Sequence, residues 1–231
     1  LRLSSRTTPN QANINDLFNQ GVEFIRRRKY KKALACFDEI LQSEPHRINV
    51  WYNRGVALYQ LRKYQAAIES YDKAIGLAPD YARAWNNKGR ALSKLGRHQE
   101  ALECFENATH LDSNFAMAWN NRGMELSILD RQTEALECFE RAIQMDPSFA
   151  IAWFNKGTRM VALDRYDEAV GSFEQALAID PEFIEACYQL GLTFEKVGRK
   201  QKAVEYLQRA LKINPKFPGL REKLNTLSTR S

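Results

Sequence analysis

Hydrophobic residues in this chain recur at helical spacing and are interrupted at regular places. From Ile14 the apolar positions run Leu17, Val22, Phe24 and Ile25; after the basic break Arg26-Arg27-Arg28-Lys29-Tyr30-Lys31-Lys32 they resume at Ala33, Phe37 and Ile40 and stop at Pro45. Spacings of three and four put such residues on one face of a helix, so two successive faces predict a helical hairpin. The second helix is predicted to start near Tyr30, and its later counterparts near Tyr64 and Tyr166. Its end is predicted at Pro45, Pro79, Pro147, Pro181 and Pro215, since proline has no amide proton with which to continue a helix. Ser113 holds that place in one copy.

The hairpin repeats. WYNRG opens at Trp51, WNNKG at Trp85, WNNRG at Trp119 and WFNKG at Trp153, each Trp 34 residues after the last. LFNQG ending at Gly21 and CYQLG ending at Gly191 keep the interval without the Trp, so Gly21, Gly55, Gly89, Gly123, Gly157 and Gly191 share one register. A period of roughly 20 to 50 residues marks an array in which each unit packs on its neighbours, and one elongated domain is expected. The expected boundaries are a polar tail or linker over 1–13, six units at 14–47, 48–81, 82–115, 116–149, 150–183 and 184–217, and a capping helix with a tail over 218–231. In that last stretch Leu220, Leu224 and Leu227 form an apolar stripe suited to covering the sixth unit, with Arg221, Glu222 and Lys223 toward solvent. The array is expected to end there, with any further domain on the N-terminal side.

Small residues carry the logic of the unit. A glycine inside a helix costs about 1 kcal/mol relative to alanine, yet one recurs at the same place in every copy. Twelve residues beyond each stands Ala33, Ala67, Ala101, Ala135, Ala169 or Ala203, so two small residues let paired backbones approach. Trp51, Trp85, Trp119 and Trp153 lie one turn before the glycine, and Phe37, Tyr71, Phe105, Phe139, Phe173 and Leu207 one turn after the alanine. These large side chains are expected to fill the flanks of that contact as core.

Trp, Gly, Ala, aromatic, Ala and Pro at these offsets resemble the tetratricopeptide repeat, in six copies over residues 14–217. Departures are Leu17 and Cys187 for Trp, Leu207 for the aromatic, Ile40 for an Ala and Ser113 for Pro. The resemblance implies an all-α, right-handed α-solenoid whose first helices line a concave face, and a protein-interaction scaffold that binds a partner's peptide segment there. On each first helix the residues six and two before the glycine, and one and five after it, share a face. Two before it stand Asn19, Asn53, Asn87, Asn121, Asn155 and then Gln189. An amide offers donor and acceptor together, matching the repeating N–H and C=O of an extended peptide. The row is similar to the asparagine ladder in the tetratricopeptide region of O-GlcNAc transferases. Duplication of one ancestral unit, or amides bonded within and between repeats, would leave the same trace.

The other positions on that face vary, which is where selectivity would lie. Arg83, Arg90 and Lys94 mark the third unit; Met117, Met124 and Ile128 the fourth, with Ile151 in the fifth. Phe18, Tyr52, Phe154 and Tyr188 stand beside the amides. A Met-rich patch suits adaptable recognition, although packing between neighbouring first helices would also use it. A segment with acidic residues at the third unit and apolar ones toward the fourth and fifth is the expected ligand. The Lys and Arg clamp by which other tetratricopeptide proteins hold chaperone tails is absent from this pattern.

Composition and charge refine this picture. With 44% hydrophobic and 27% charged residues, the chain has the make-up of a folded protein. The net charge of +6 is uneven: nine Lys/Arg face five Asp/Glu in residues 1–47, fifteen face twenty in 48–189, and ten face three in 190–231. The basic ends admit nucleic acid or an acidic membrane surface as partners. No base-reading motif accompanies them, which disfavours nucleic acid, and Arg26–Lys32 reads first as a solvated turn. No apolar run is long enough to span a membrane.

Cys36, Cys104 and Cys138 share one register, and equivalent residues of stacked layers lie roughly 10 Å apart, beyond the about 7 Å that a disulfide allows. They read as small buried filler in a reducing, cytoplasmic setting. The three histidines, His46, His98 and His110, sit in no nucleophile or metal pattern. No enzyme, metal or cofactor is expected, and self-association is open. The alternative is a substrate-recruiting arm of a larger enzyme such as a glycosyltransferase.

Overall fold

A computed structural model describes residues 11–229, which form thirteen α-helices and no strand. In order these are α1 (Gln11–Arg26), α2 (Tyr30–Ser43), α3 (Ile48–Gln60), α4 (Tyr64–Leu77), α5 (Ala82–Lys94), α6 (His98–Leu111) and α7 (Ala116–Ile128). They continue with α8 (Gln132–Met145), α9 (Ala150–Ala162), α10 (Tyr166–Ile179), α11 (Ile184–Lys196), α12 (Lys200–Ile213) and α13 (Leu220–Thr229). Helix α1 starts at Gln11, so Gln11–Asn13 are helical and not tail; the rest of the expected tail lies outside the described residues.

The chain divides into two compact units, Leu1–Ser113 and Asn114–Ser231. In the first, hairpins α1/α2, α3/α4 and α5/α6 stack so that α2 packs on α3 and α4 on α5, with α1, α3 and α5 in successive contact. In the second, α7/α8, α9/α10 and α11/α12 stack in the same way, and α13 closes against α12. Each is a length of all-α solenoid.

Within a hairpin the turn is set by one residue in the left-handed region. Arg62 has φ +59°, its N–H donating to Tyr59 O and the Lys63 N–H to Leu58 O, both at 2.9 Å, a pattern that closes the carbonyl end of α3. Arg28, Asp130 and Asp164 do the same at φ 56–60°, as do Gly96 and Gly198 at 75°. Four of six turns thus hold a side chain where glycine would be unstrained.

Second helices stop two residues before the expected proline, as at Leu77 before Pro79. Helix α6 stops at the equivalent Leu111 although Ser113 replaces proline, so proline is not what ends it. Asp112 adopts extended backbone, φ −135° and ψ 94°, while its N–H still bonds to Ala108 O. That is the conformation a residue before proline would favour anyway.

The repeated alanines Ala33, Ala67, Ala101, Ala135, Ala169 and Ala203 are fully buried. The aromatic register is buried too, but it sits on the glycine and not on the flanks. A Cβ built on Gly55 would meet Tyr71 Cε1 at 2.5 Å, and one on Gly157 would meet Phe173 Cε1 at 2.7 Å. Glycine therefore admits a ring edge against the helix backbone. The tryptophans depart further from the expected core: Trp51, Trp85, Trp119 and Trp153 are half-buried.

At the C-terminal end Leu220 and Leu227 are buried and Leu224 packs against the same cluster, as a capping helix requires. Lys223 was expected in solvent with Arg221 and Glu222, but its Nζ pairs with Glu195 Oε2 on α11 at 2.5 Å. All four cysteines are free and buried. No described helix is long and apolar enough to cross a membrane.

Candidate functional site

The amide row lies on the first helices, and much of it is engaged by the protein itself. In the first unit Asn19 is exposed, Asn53 Nδ2 donates to Asn49 O at 2.7 Å, and Asn87 Nδ2 donates to Tyr52 Oη at 3.0 Å. Asn87 Oδ1 also accepts from Asn86 Nδ2 at 3.3 Å. In the second unit Asn155 Nδ2 donates to Asn120 Oδ1 at 2.8 Å, while Asn121 and Gln189 are half-buried. A side-chain amide has two N–H groups and two lone pairs, so a single bond, as at Asn53 and Asn155, leaves it able to meet a ligand.

Phe18, Tyr52, Phe154 and Tyr188 do not line an open face. They are wedges: Tyr52 meets Tyr71 in its own hairpin at 6.1 Å and Tyr81 of the next at 5.0 Å, and Phe154 meets Phe173 at 5.8 Å and Phe183 at 4.9 Å. Tilted rings at such distances are worth about 0.5–1.5 kcal/mol beyond the area they bury. Repeats three and four carry buried Asn86 and Asn120 at this position. Burial raises the Tyr71 phenol far above its usual range and the Cys104 thiol to about 11, so neither ionises near neutrality.

The basic residues of α5 line up without converging. Arg83 and Lys94 are exposed near opposite ends of the helix, roughly 16 Å apart along its axis. Arg90 stacks over the Tyr59 ring at 4.9 Å. In the second unit Met117, Met124 and Ile151 are 47%, 44% and 49% exposed, and Ile128 is 55% exposed. Met124 and Ile128 of α7 line a pocket of about 200 Å³ with Ser127, Phe139, Asn155 and Arg159. Arg159 was not among the expected residues. It lies two places after Gly157, where the other repeats carry Glu23, Ala57, Ala91, Glu125 and Thr193, and being the one cation of that register was its signal.

A second repeated feature escaped the sequence pattern. The indole N–H of Trp51, Trp85 and Trp153 donates to the carbonyl of the proline six residues earlier, Pro45, Pro79 and Pro147, at 2.8, 2.9 and 3.1 Å. Over the ring of each Trp lies a cation: Arg54, Lys88 and Lys156 at 5.5–5.8 Å. Each in turn pairs with a carboxylate of the preceding second helix, Asp38, Asp72 or Glu140, at 2.7–2.9 Å. Among the described residues no three His, Cys, Asp or Glu side chains gather as metal ligands.

Comparison with known proteins gives the architecture its name. The crystal structure of PilW, a widely conserved type IV pilus biogenesis factor, matches with a TM-score of 0.82 at 22% identity over 94% of this chain and 100% of that one. The crystal structure of YrrB, a TPR protein with an unusual peptide-binding site, matches with a TM-score of 0.65 at 24% identity, covering 81% and 96%. The crystal structure of MamA matches with a TM-score of 0.65 at 25% identity, covering 70% and 95%. No curated protein matches the sequence. Tetratricopeptide repeat models match residues 23–84 and, one repeat at a time, 82–115, 116–149 and 184–217, and a TPR repeat model matches 157–198. With well over half of its length matched, and with the helical hairpins to show for it, the chain belongs to the tetratricopeptide repeat family.

Proposed function

We propose that this protein is an interaction scaffold that binds an extended or helical segment of a partner on the first-helix faces of its units. The tetratricopeptide repeat family and the likeness to a TPR protein with a peptide-binding site support the scaffold role. The observation that carries the finer reading is the recurrence of amides on one helix face, beside cations in the first unit and large exposed apolar side chains in the second. In the first unit that face offers Asn19, Asn53 and Asn87 with Arg83, Arg90 and Lys94; in the second it offers Asn121, Asn155 and Gln189 with Met117, Met124 and Ile151. Exposed apolar groups of this size cost solvation free energy unless a partner covers them. The four buried free thiols support a reducing compartment.

Affinity capture from a lysate tests this reading, comparing wild type with Asn87→Ala, Asn121→Ala and Asn155→Ala. Partners held by wild type are expected to be lost from variants whose circular dichroism is unchanged. Full retention of those partners would sink the first-helix face as the binding surface.

A further inference from the structure

The pocket between α7 and α9 has a shape and a charge that narrow what it can hold. At about 200 Å³ it is smaller than the roughly 300–1,000 Å³ that drug-sized ligands occupy, so it suits one large side chain. Its walls are the flexible Met124 and the exposed Ile128, its floor is the edge of the buried Phe139, and Ser127 and Asn155 supply polar groups at the margin. An unbranched thioether adapts to side chains of different outline.

Arg159 sets the charge at the mouth. Its guanidinium donates to Gln132 Oε1 at 3.3 Å and meets no carboxylate among the described residues. By contrast Arg165, six residues on, meets Glu168 at 2.7 Å. The Gln132 amide is itself aligned by donating to Asp130 Oδ1 at 3.0 Å. A guanidinium carries five N–H donors in a flat fork, and one bond to an amide oxygen leaves most of that fork for a ligand. The face continues past the pocket to Met117 on α7 and Ile151 on α9, so an occupying chain would run on beyond its anchor residue.

We propose that the α7/α9 pocket anchors one large apolar side chain of a partner segment, and that an Asp or Glu side chain next to that anchor pairs with Arg159. This rests on the reading of the first-helix face as a peptide-binding surface, and it names the ligand's chemistry: an internal, acidic–apolar segment. The acid is placed by the second unit's own arginine and needs none of the cations of α5.

Panning the full chain against a random-peptide phage library, with every peptide fused through its C-terminus so that none ends in a free carboxylate, supplies the probe. Enriched peptides are expected to share a large apolar residue next to Asp or Glu. Synthetic copies are then measured by fluorescence anisotropy against wild type, Arg159→Glu and Ile128→Ser, both exposed or half-exposed sites where folding is readily checked by circular dichroism. Arg159→Glu is expected to weaken binding roughly tenfold or more at low salt, with the ratio shrinking as salt rises. Ile128→Ser is expected to weaken it with little salt dependence. A basic consensus, or equal affinity for wild type and Arg159→Glu, overturns the proposal. If peptides bind wild type, fail on Asn121→Ala and ignore both Arg159→Glu and Ile128→Ser, the binding face stands and this inference falls. If no peptide enriches, both fall. If wild type self-associates in sedimentation and Ile128→Ser is monomeric, the pocket is covered by a second copy, and the proposal is wrong.

Discussion

Trp85 Nε1 donates to Pro79 O at 2.9 Å, tying the start of α5 to the chain that leaves α4. Its ring carries Lys88 above it, and Lys88 pairs with Asp72 of α4 at 2.7 Å. One side chain thus holds a carbonyl, a cation and an apolar contact at a repeat junction. Trp85→Phe keeps part of the apolar contact and leaves the exposed Pro79 carbonyl to water. It is expected to destabilise by about 0.5–1.5 kcal/mol, read as a lower midpoint in chemical denaturation, and Trp51→Phe is expected to behave alike because it loses the bond to Pro45.

The same Gly→Ala change should have opposite signs at two sites of one hairpin. Gly171, on α10, has nothing within 4 Å of a built Cβ, so Gly171→Ala should stabilise by about 0.5–1 kcal/mol through helix propensity. At Gly157 the new methyl would meet three atoms of the Phe173 ring at 2.7–3.0 Å, and that ring is fully buried. Overpacking of this kind costs about 1–3 kcal/mol, so Gly157→Ala should lower the melting temperature while Gly171→Ala raises it.

Left-handed turn residues offer a stabilising change. Arg62 at φ +59° lies where a Cβ is strained, by roughly 1–2 kcal/mol in a helical series. Glycine removes that strain but adds freedom to the unfolded chain. Arg62→Gly and Arg28→Gly are each expected to raise the thermal midpoint by a degree or more, and Gly96→Ala, at φ +75°, to lower it.

Acid pH should loosen three exposed ion pairs at the starts of second helices. Arg131 Nε and Nη2 grip both oxygens of Glu134 at 2.7 and 2.6 Å, and Arg97–Glu100 and Arg165–Glu168 repeat the arrangement. Hydrogen bonding from the arginine, more than its charge, holds each glutamate below its ordinary value of 4.5. A folded value lower than the unfolded one stabilises above 4.5, and the benefit is lost as pH falls through the folded value. Solvent screening keeps it small. Carboxyl titration by NMR should find Glu134 below an ordinary glutamate, and Arg131→Gln should return it upward.

The amides must be judged with their structural bonds in view. Asn120 is 3% exposed and accepts from Asn155. Asn155→Ala should therefore cost about 1–2 kcal/mol in stability as well as any partner. Asn19→Ala, at an exposed amide, should leave stability within about 0.5 kcal/mol. A thermal melt of each variant separates the two effects.

Periodicity made the hairpins legible, because 34-residue spacing and apolar faces are set by residues acting through size alone. Ala67 and Tyr71 are buried as their register demands. The features that escaped depend on directions that a sequence does not carry. Trp153 counts as large and apolar in any pattern, yet its N–H decides where it sits. Asn87 reads as an outward amide until Tyr52, a neighbour from the previous repeat, appears within 3.0 Å. Arg159 stands at a position held elsewhere by residues as unlike as alanine and glutamate, so the repeat pattern gives it no role. Its meaning comes from the pocket beside it. Gln11–Asn13 lack an apolar stripe and so read as tail, though α1 includes them.

The tie from Trp to the proline six residues earlier makes three of the junctions overlap two copies of the sequence unit. Excising residues 48–81 would join Arg47 to Ala82 and set Trp85 six places after Pro45, the spacing that Trp51 has now. Loss or gain of one whole period between two such junctions keeps the spacing of six, whereas a deletion of another length that cuts across a junction unties it. Whole repeats are thus the units that this array can lose or gain with its Trp–Pro ties kept.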